Sequence, residues 1–178
     1  LQFLHSNNIV HGDLKPSNIV KDGLNVSLID FGNSIIGKVD GNKITYSRNY
    51  STPVFRSPEA LQNIYFGPEN DIWSLGMTMY FYFREDYSKF YNLSEKELIE
   101  YFSENTVKCS KNNKFSNIIN SCLNPDYTKR PNIYQVLEML NPKYKVNKGE
   151  IINTNSEKGK QWYEIYNNEF ISEVIHTP

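Results

Sequence analysis

Two cysteines in 178 residues, Cys109 and Cys122, are too few for a disulfide framework and point to a reducing compartment. Long hydrophobic runs are missing as well. The longest, Met77 to Phe83, falls far short of the roughly 20 apolar residues that a bilayer-spanning helix needs. Neither sign of charge prevails, with 19 Lys and Arg against 20 Asp and Glu, so no bulk attraction toward nucleic acid or anionic lipid is expected. No secretory leader and no repeat with a period of 20–50 residues can be discerned. What is present is an apolar fraction of 39%, too high for a disordered chain and sufficient, at this length, for one domain with a sizeable core. An intracellular protein, in cytoplasm or nucleus, with neither nucleic acid nor membrane as partner, is therefore expected. The chain starts at Leu1 rather than Met, and an upstream portion is expected to be missing.

Helical signals dominate the pattern. Leu1 to His5 reads as the end of an amphipathic helix closed by Ser6-Asn7-Asn8. Three short strand-like pieces follow, Ile9-Val10, Ile19-Val20 and Val26 to Ile29, with Lys21-Asp22-Gly23 as a turn. Gly32 to Ser57 is polar and without a sustained period, which predicts a long functional or mobile loop. Asp71 to Phe83 is apolar nearly all round and predicts a helix buried in the domain's middle. Ser94 and Glu97 form a capping box before a helix to about Phe102. Phe115 to Leu123 and Ile133 to Leu140 predict two more helices, parted by the turn Asn124-Pro125-Asp126. Beyond Pro142 the text turns charged and polar, with a helical pattern over about Glu157 to Ile175.

The chemistry-bearing residues crowd into one stretch. His11-Gly12-Asp13-Leu14-Lys15-Pro16-Ser17-Asn18 lies between two strand pieces, so Asp13, Lys15 and Asn18 share one tight loop. Asp30-Phe31-Gly32 stands at the end of the third strand piece. Phosphoryl transfer requires a group that orients a hydroxyl, a cation that neutralises the moving phosphoryl, and oxygen donors that hold magnesium. Taken alone, each residue has a plainer explanation: Asp13 as a turn or cap residue, Asn18 as a loop amide, Gly32 as a strand terminator, His11 as a packed, hydrogen-bonded histidine.

Taken together, His-x-Asp-Leu-Lys-Pro-x-Asn followed by Asp-Phe-Gly resembles the catalytic loop and magnesium loop of eukaryotic protein kinases. Three further segments continue the resemblance in order. Thr52-Pro53-Val54-Phe55-Arg56-Ser57-Pro58-Glu59 is similar to the end of an activation segment, with Ser57 where Ala is usual. Asp71-Ile72-Trp73-Ser74-Leu75-Gly76 is similar to the central helix of the large lobe, and Asn124 to Pro131 to the motif before the last helix. The resemblance implies that Asp13 orients the substrate hydroxyl and that Lys15 touches the γ-phosphate. Asn18 and Asp30 would bind magnesium, and Thr52 would bridge Lys15 and Asp13. It further implies structural support from His11, Phe31, Gly32 and Asp71, the last reaching the backbone of the catalytic loop. A plain helix N-cap is the other reading of Asp71. Arg130 would pair with Glu59.

Lys15-Pro16-Ser17-Asn18 looks like the serine/threonine branch, with ATP and Mg2+ as cofactors and protein substrates as partners. Gly12 departs from the Arg that gathers a phosphate in many regulated kinases, which puts that form of switching in doubt; Thr45, Tyr46, Ser47, Tyr50 and Ser51 remain candidate phosphoacceptors. No Gly-rich phosphate loop and no Val-Ala-Ile-Lys stretch occurs, and Gly37 to Gly41 reads as loop. The expected fold is mainly α (α+β): a kinase-like C-terminal lobe over residues 1–141, its N-terminal lobe missing, and a tail over 142–178. Without the upstream helix, Ile72, Leu75 and Met79 are expected to lie uncovered, and the fragment is expected to be inactive by itself. The competing reading is a pseudokinase or binding scaffold that keeps the fold without catalysis; a small-molecule phosphotransferase of related fold is the third.

Overall fold

The structure, a computed structural model, describes residues 1–23, 25–40, 43–46, 51–83, 88–110 and 115–142. The tail helix expected over Glu157 to Ile175, and Ser47 and Tyr50, lie outside the described residues.

Helix α1 (Gln2–Ser6) leads into strand β1 (Ile9–Val10). Strands β2 (Ile19–Asp22) and β3 (Asn25–Leu28) form an antiparallel hairpin with Ile19 opposite Leu28 and Asp22 opposite Asn25. Gly23, at φ +57°, makes the turn that the sequence places there. The stretch predicted as one loop from Gly32 is more ordered than that. Strand β4 (Ile35–Ile36) pairs with β1, and β5 (Lys38–Asp40) pairs with β6 (Lys43–Thr45), so Lys38 to Asp40 is strand rather than loop. Two- and three-residue strands are too short to show a period. What defines β4 is its partner: Val10 and Ile35 face each other and are both buried.

The remaining elements are helices: α2 (Pro58–Leu61), α3 (Pro68–Tyr82), α4 (Ser88–Tyr91), α5 (Glu95–Glu104), α6 (Ser116–Cys122) and α7 (Ile133–Leu140). The described chain is thus helix-rich with a few short strands. Helix α3 begins three residues before Asp71, with Pro68 at its first position and Glu69 and Asp71 in its first turn. Asp71 is therefore not an N-cap. The capping box of α5 forms as expected: Glu97 N donates to Ser94 Oγ at 3.3 Å and Ser94 N to Glu97 Oε2 at 2.7 Å. A reciprocal pair that the sequence reading missed, Asn132 and Gln135, starts α7.

Helix α3 is apolar all round because it packs on two clusters. Trp73, Met77 and Phe81 lie in the larger, with Phe90, Leu98, Phe102, Ile119 and Leu123. Ile72 belongs to the second, with Ile118, Cys122, Ile133 and Val136, and Leu75 and Met79 pack against it. Full burial of side chains of this size contributes about 1.5–3 kcal/mol each. Ile72 is only 1% exposed, which corrects the expectation that it lies uncovered: α6 and α7 cover it. Gly76 permits the close approach of α6, since a Cβ there would stand 2.8 Å from Cys122 Cβ.

One ion pair ties this core to α2. Arg130 Nη1 and Nη2 donate to Glu59 Oε1 and Oε2 at 2.7 and 2.8 Å, a two-pronged fork with both side chains buried. Arg130 Nε donates to Asn124 O at 2.8 Å, Nη1 also to Glu69 O at 3.0 Å, and the guanidinium lies 4.9 Å from the centre of the Trp73 ring. Removing one partner leaves the other buried and uncompensated, at a cost of about 3–5 kcal/mol. Arg130→Ala should therefore lower the thermal unfolding midpoint by several degrees or more; an unchanged midpoint would show that the pair contributes nothing.

Candidate active site

The loop between β1 and β2 is shaped by a buried carboxylate from α3. Asp71 Oδ2 accepts from His11 N at 2.7 Å and Oδ1 from Gly12 N at 2.9 Å. Gly12 sits at φ +80°, a backbone region that disfavours side chains with a Cβ. Glycine in this place removes a strain that an Arg would carry. The recess beside Gly12 is lined by Ile35, Ser51 and Arg56. Arg56 is already engaged there, donating to Ser51 O at 2.5 Å and to Glu95 Oε1 at 2.7 Å.

His11 is fully buried and works through both ring nitrogens. Asp13 N donates to Nδ1 at 3.3 Å, which leaves the proton on Nε2, 3.2 Å from Ile29 O. The Phe31 ring packs against it, tilted by 51° with centroids 5.1 Å apart. The histidine therefore joins the loop to the end of β3 rather than presenting itself to a substrate. Ser34 Oγ adds a bond to His11 O at 3.0 Å.

Asp13, 4% exposed, is gripped at both carboxylate oxygens. Lys15 Nζ donates to Oδ2 at 2.7 Å and Thr52 N to Oδ1 at 2.9 Å, while Lys15 Nζ also donates to Thr52 Oγ1 at 2.7 Å. Thr52 is thus bonded to both Lys15 and Asp13. Burial pushes the Asp13 carboxyl up, but the hydrogen bonds from Lys15 and Thr52 and the Lys15 charge outweigh it and hold the group below its ordinary value. Asn18 is also buried, its Nδ2 donating to Asp13 O at 2.9 Å.

Asp30 follows β3 and is exposed, at φ +62°, a conformation that aspartate tolerates better than most residues. Ile29 N donates to Asn18 O at 3.0 Å, so the residue before Asp30 is tied to Asn18 at the open end of the hairpin. Gly32 N donates to Asp30 Oδ1 at 3.3 Å. For magnesium, a hard cation, this is a suitable donor set: a carboxylate, and a carboxamide whose NH2 is used inward, leaving Oδ1 for a cation. Among the described residues no three His, Cys, Asp or Glu side chains gather into a metal cage. Magnesium needs no such cage, since it commonly takes one or two carboxylates and completes its shell with phosphates and water.

Glu59 and Arg130 are joined to each other as described above. His5 and Asn70 were missed by the sequence reading. His5 Nε2 lies 2.9 Å from Asp71 Oδ2, and its one available signal was a histidine at the end of α1, just before the loop.

The family model described as "protein kinase domain" matches residues 1–140. The chain belongs to the protein kinase domain family. Among its relatives is a hormonally up-regulated neu tumor-associated kinase homolog B of Xenopus laevis, 32% identical over 160 residues, covering 81% of this chain and 24% of the relative. The mouse kinase of that name is also 32% identical, across 81% of this chain and 21% of its own length. The SNF1-like protein kinase ssp2 of Schizosaccharomyces pombe is 42% identical over 82 residues, 45% of this chain and 14% of the relative. The chain thus spans about a quarter or less of these kinases.

The depressed Asp13 carboxyl yields a test. A group held low in the folded state adds stability above its unfolded value, about 3.9, and that stability is lost as pH falls through the folded value. In Lys15→Met the largest lowering influence is gone and burial remains, so the titration midpoint of Asp13 should move upward. Carboxyl-carbon NMR would read the shift; a midpoint unchanged or lower would contradict the assigned role of Lys15.

Proposed function

We propose that this chain is the C-terminal lobe of a serine/threonine protein kinase that transfers the γ-phosphate of ATP to hydroxyl groups of protein substrates. The observation that carries the reading is the triangle of Asp13, Lys15 and Thr52, in which the two carboxylate oxygens, the ammonium and the threonine amide and hydroxyl are all linked at 2.7–2.9 Å. The ionised Asp13 carboxylate can accept the proton of an acceptor hydroxyl and aim its oxygen. Of the three donors on Lys15 Nζ, Asp13 and Thr52 occupy two; the third is available to a phosphoryl oxygen. Asn18 Oδ1 and the Asp30 carboxylate supply ligands for magnesium, which when bound neutralises charge on the phosphates.

Thr52, beside the Lys15-Pro16-Ser17-Asn18 loop, supports a serine or threonine acceptor rather than tyrosine. His11, Phe31 and Gly32 act as supports that keep the catalytic loop and Asp30 together. Protein substrates and ATP are the partners on this reading. An intracellular location, cytoplasm or nucleus, suits two buried cysteines that are not joined in a disulfide; burial pushes Cys122 up to about 12, against the opposing pull of Arg130. Among the described residues no helix is long and apolar enough to cross a membrane.

The test uses the full-length protein with ATP, Mg2+ and a library of Ser, Thr and Tyr peptides. Phosphoserine and phosphothreonine are the expected products. Asp13→Asn should lower kcat by about 100-fold or more, and Asp30→Asn should abolish transfer while the circular dichroism spectrum stays that of the wild type. Undiminished turnover in a folded Asp30→Asn variant would refute the assignment.

A further inference from the structure

We infer that Asn70 and Ser57 form a latch that sets the acceptor-side segment, residues 52–56, against the catalytic loop. This rests on the functional reading above and assigns positioning residues to that same site. Asn70 is a hub. Its Nδ2 donates to Ser57 Oγ at 2.7 Å and to Glu59 Oε1 at 2.6 Å, and its Oδ1 accepts from Gly67 N at 2.7 Å. Its backbone oxygen accepts from Ser74 Oγ, at 3.0 Å, which also donates to Phe55 O at 2.8 Å. Ser57 has no exposed surface. Its hydroxyl is the one feature by which it differs from the Ala usual in this place, and Asn70 is what takes that hydroxyl up.

The position of Asn70 gives the latch its consequence. The next residue on α3 is Asp71, which holds His11 N and Gly12 N and so fixes the loop that carries Asp13. Two consecutive residues of one buried helix therefore hold the two pieces of chain that meet at the acceptor site. Asp71 holds the piece with the carboxylate, and Asn70, through Ser57, the piece with Thr52. Between Ser57 and Thr52 there is little slack. Phe55 N donates to Thr52 O at 3.1 Å and Arg56 N to Pro53 O at 3.0 Å, closing a tight 3-10 turn. A shift at Ser57 is carried through that turn to the Thr52 amide, which donates to Asp13 Oδ1. Asn70 and Ser57 touch neither nucleotide nor substrate on this account; they act through Thr52.

The experiment measures backbone hydrogen exchange and steady-state kinetics on the full-length protein and on Asn70→Ala, Ser57→Ala and the double variant. Loss of a hydrogen bond of ordinary strength corresponds to about a tenfold change. Asn70→Ala should speed exchange of the Phe55 and Arg56 amides about tenfold and raise KM for the peptide substrate, with KM for ATP unchanged. Ser57→Ala should do the same more weakly and add nothing in the Asn70→Ala background. If Asn70→Ala lowers only the melting temperature and leaves exchange at Phe55 and Arg56 at wild-type rates, the residue is merely structural and the latch is refuted. Additive effects of the two substitutions would refute it as well. The exchange measurement requires no turnover, so it judges the latch even where a wild-type protein without transferase activity has overturned the functional reading.

Discussion

One buried carboxylate organises this molecule. Asp71, 1% exposed, takes hydrogen bonds from the backbone of His11 and Gly12 and from the ring of His5. A carboxylate in the interior costs several kcal/mol unless donors replace the lost water. The loop between β1 and β2 provides two backbone donors, and only in one conformation, with Gly12 in the left-handed region. The need to satisfy Asp71 thus dictates the shape of the loop that displays Asp13, Lys15 and Asn18. Helix α3 can impose that shape because it is wedged between two apolar clusters and cannot easily move.

The same problem is solved three ways in this chain. Asp71 is satisfied by neutral amides and an imidazole, and so stays fixed and chemically silent. Glu59 is met by the rigid fork of Arg130, a pairing that joins α2 to the segment before α7. Asp13 is met by one flexible ammonium and by Thr52. Asp71 and Glu59 each accept three hydrogen bonds and hold the fold together; on the proposed reading Asp13 is the one that receives the acceptor hydroxyl.

Much of this was legible in the sequence because the site is built from local spacing. Asp13, Lys15 and Asn18 lie on one short loop, and Asp30 ends the strand that pairs back to Asn18, so a linear pattern maps onto a compact site. The all-round apolar text of α3 and the capping residues of α5 were equally readable, since each reflects contacts within a turn or two. What escaped depends on distant partners. Strand β4 has two residues and exists because β1 lies opposite. The burial of Ile72 depends on α6 and α7, which close over it. His5 and Asn70 carry no motif of their own, and their roles appear only when α1 and α2 are brought against the start of α3. Asp71 was read with two roles, loop anchor and helix cap; the earlier start of α3 at Pro68 leaves only the first.

The central claim is that one loop and one strand end, registered by α3, assemble a magnesium–phosphate site. A crystal structure of the full-length protein with a non-hydrolysable ATP analogue and Mg2+ tests it most directly. The account predicts a metal about 2.0–2.1 Å from Asn18 Oδ1 and from the Asp30 carboxylate, with Lys15 Nζ on the γ-phosphate and Asp13 still held by Thr52. Nucleotide bound elsewhere, or a metal held by other residues with Asp30 turned away from Asn18, would contradict it.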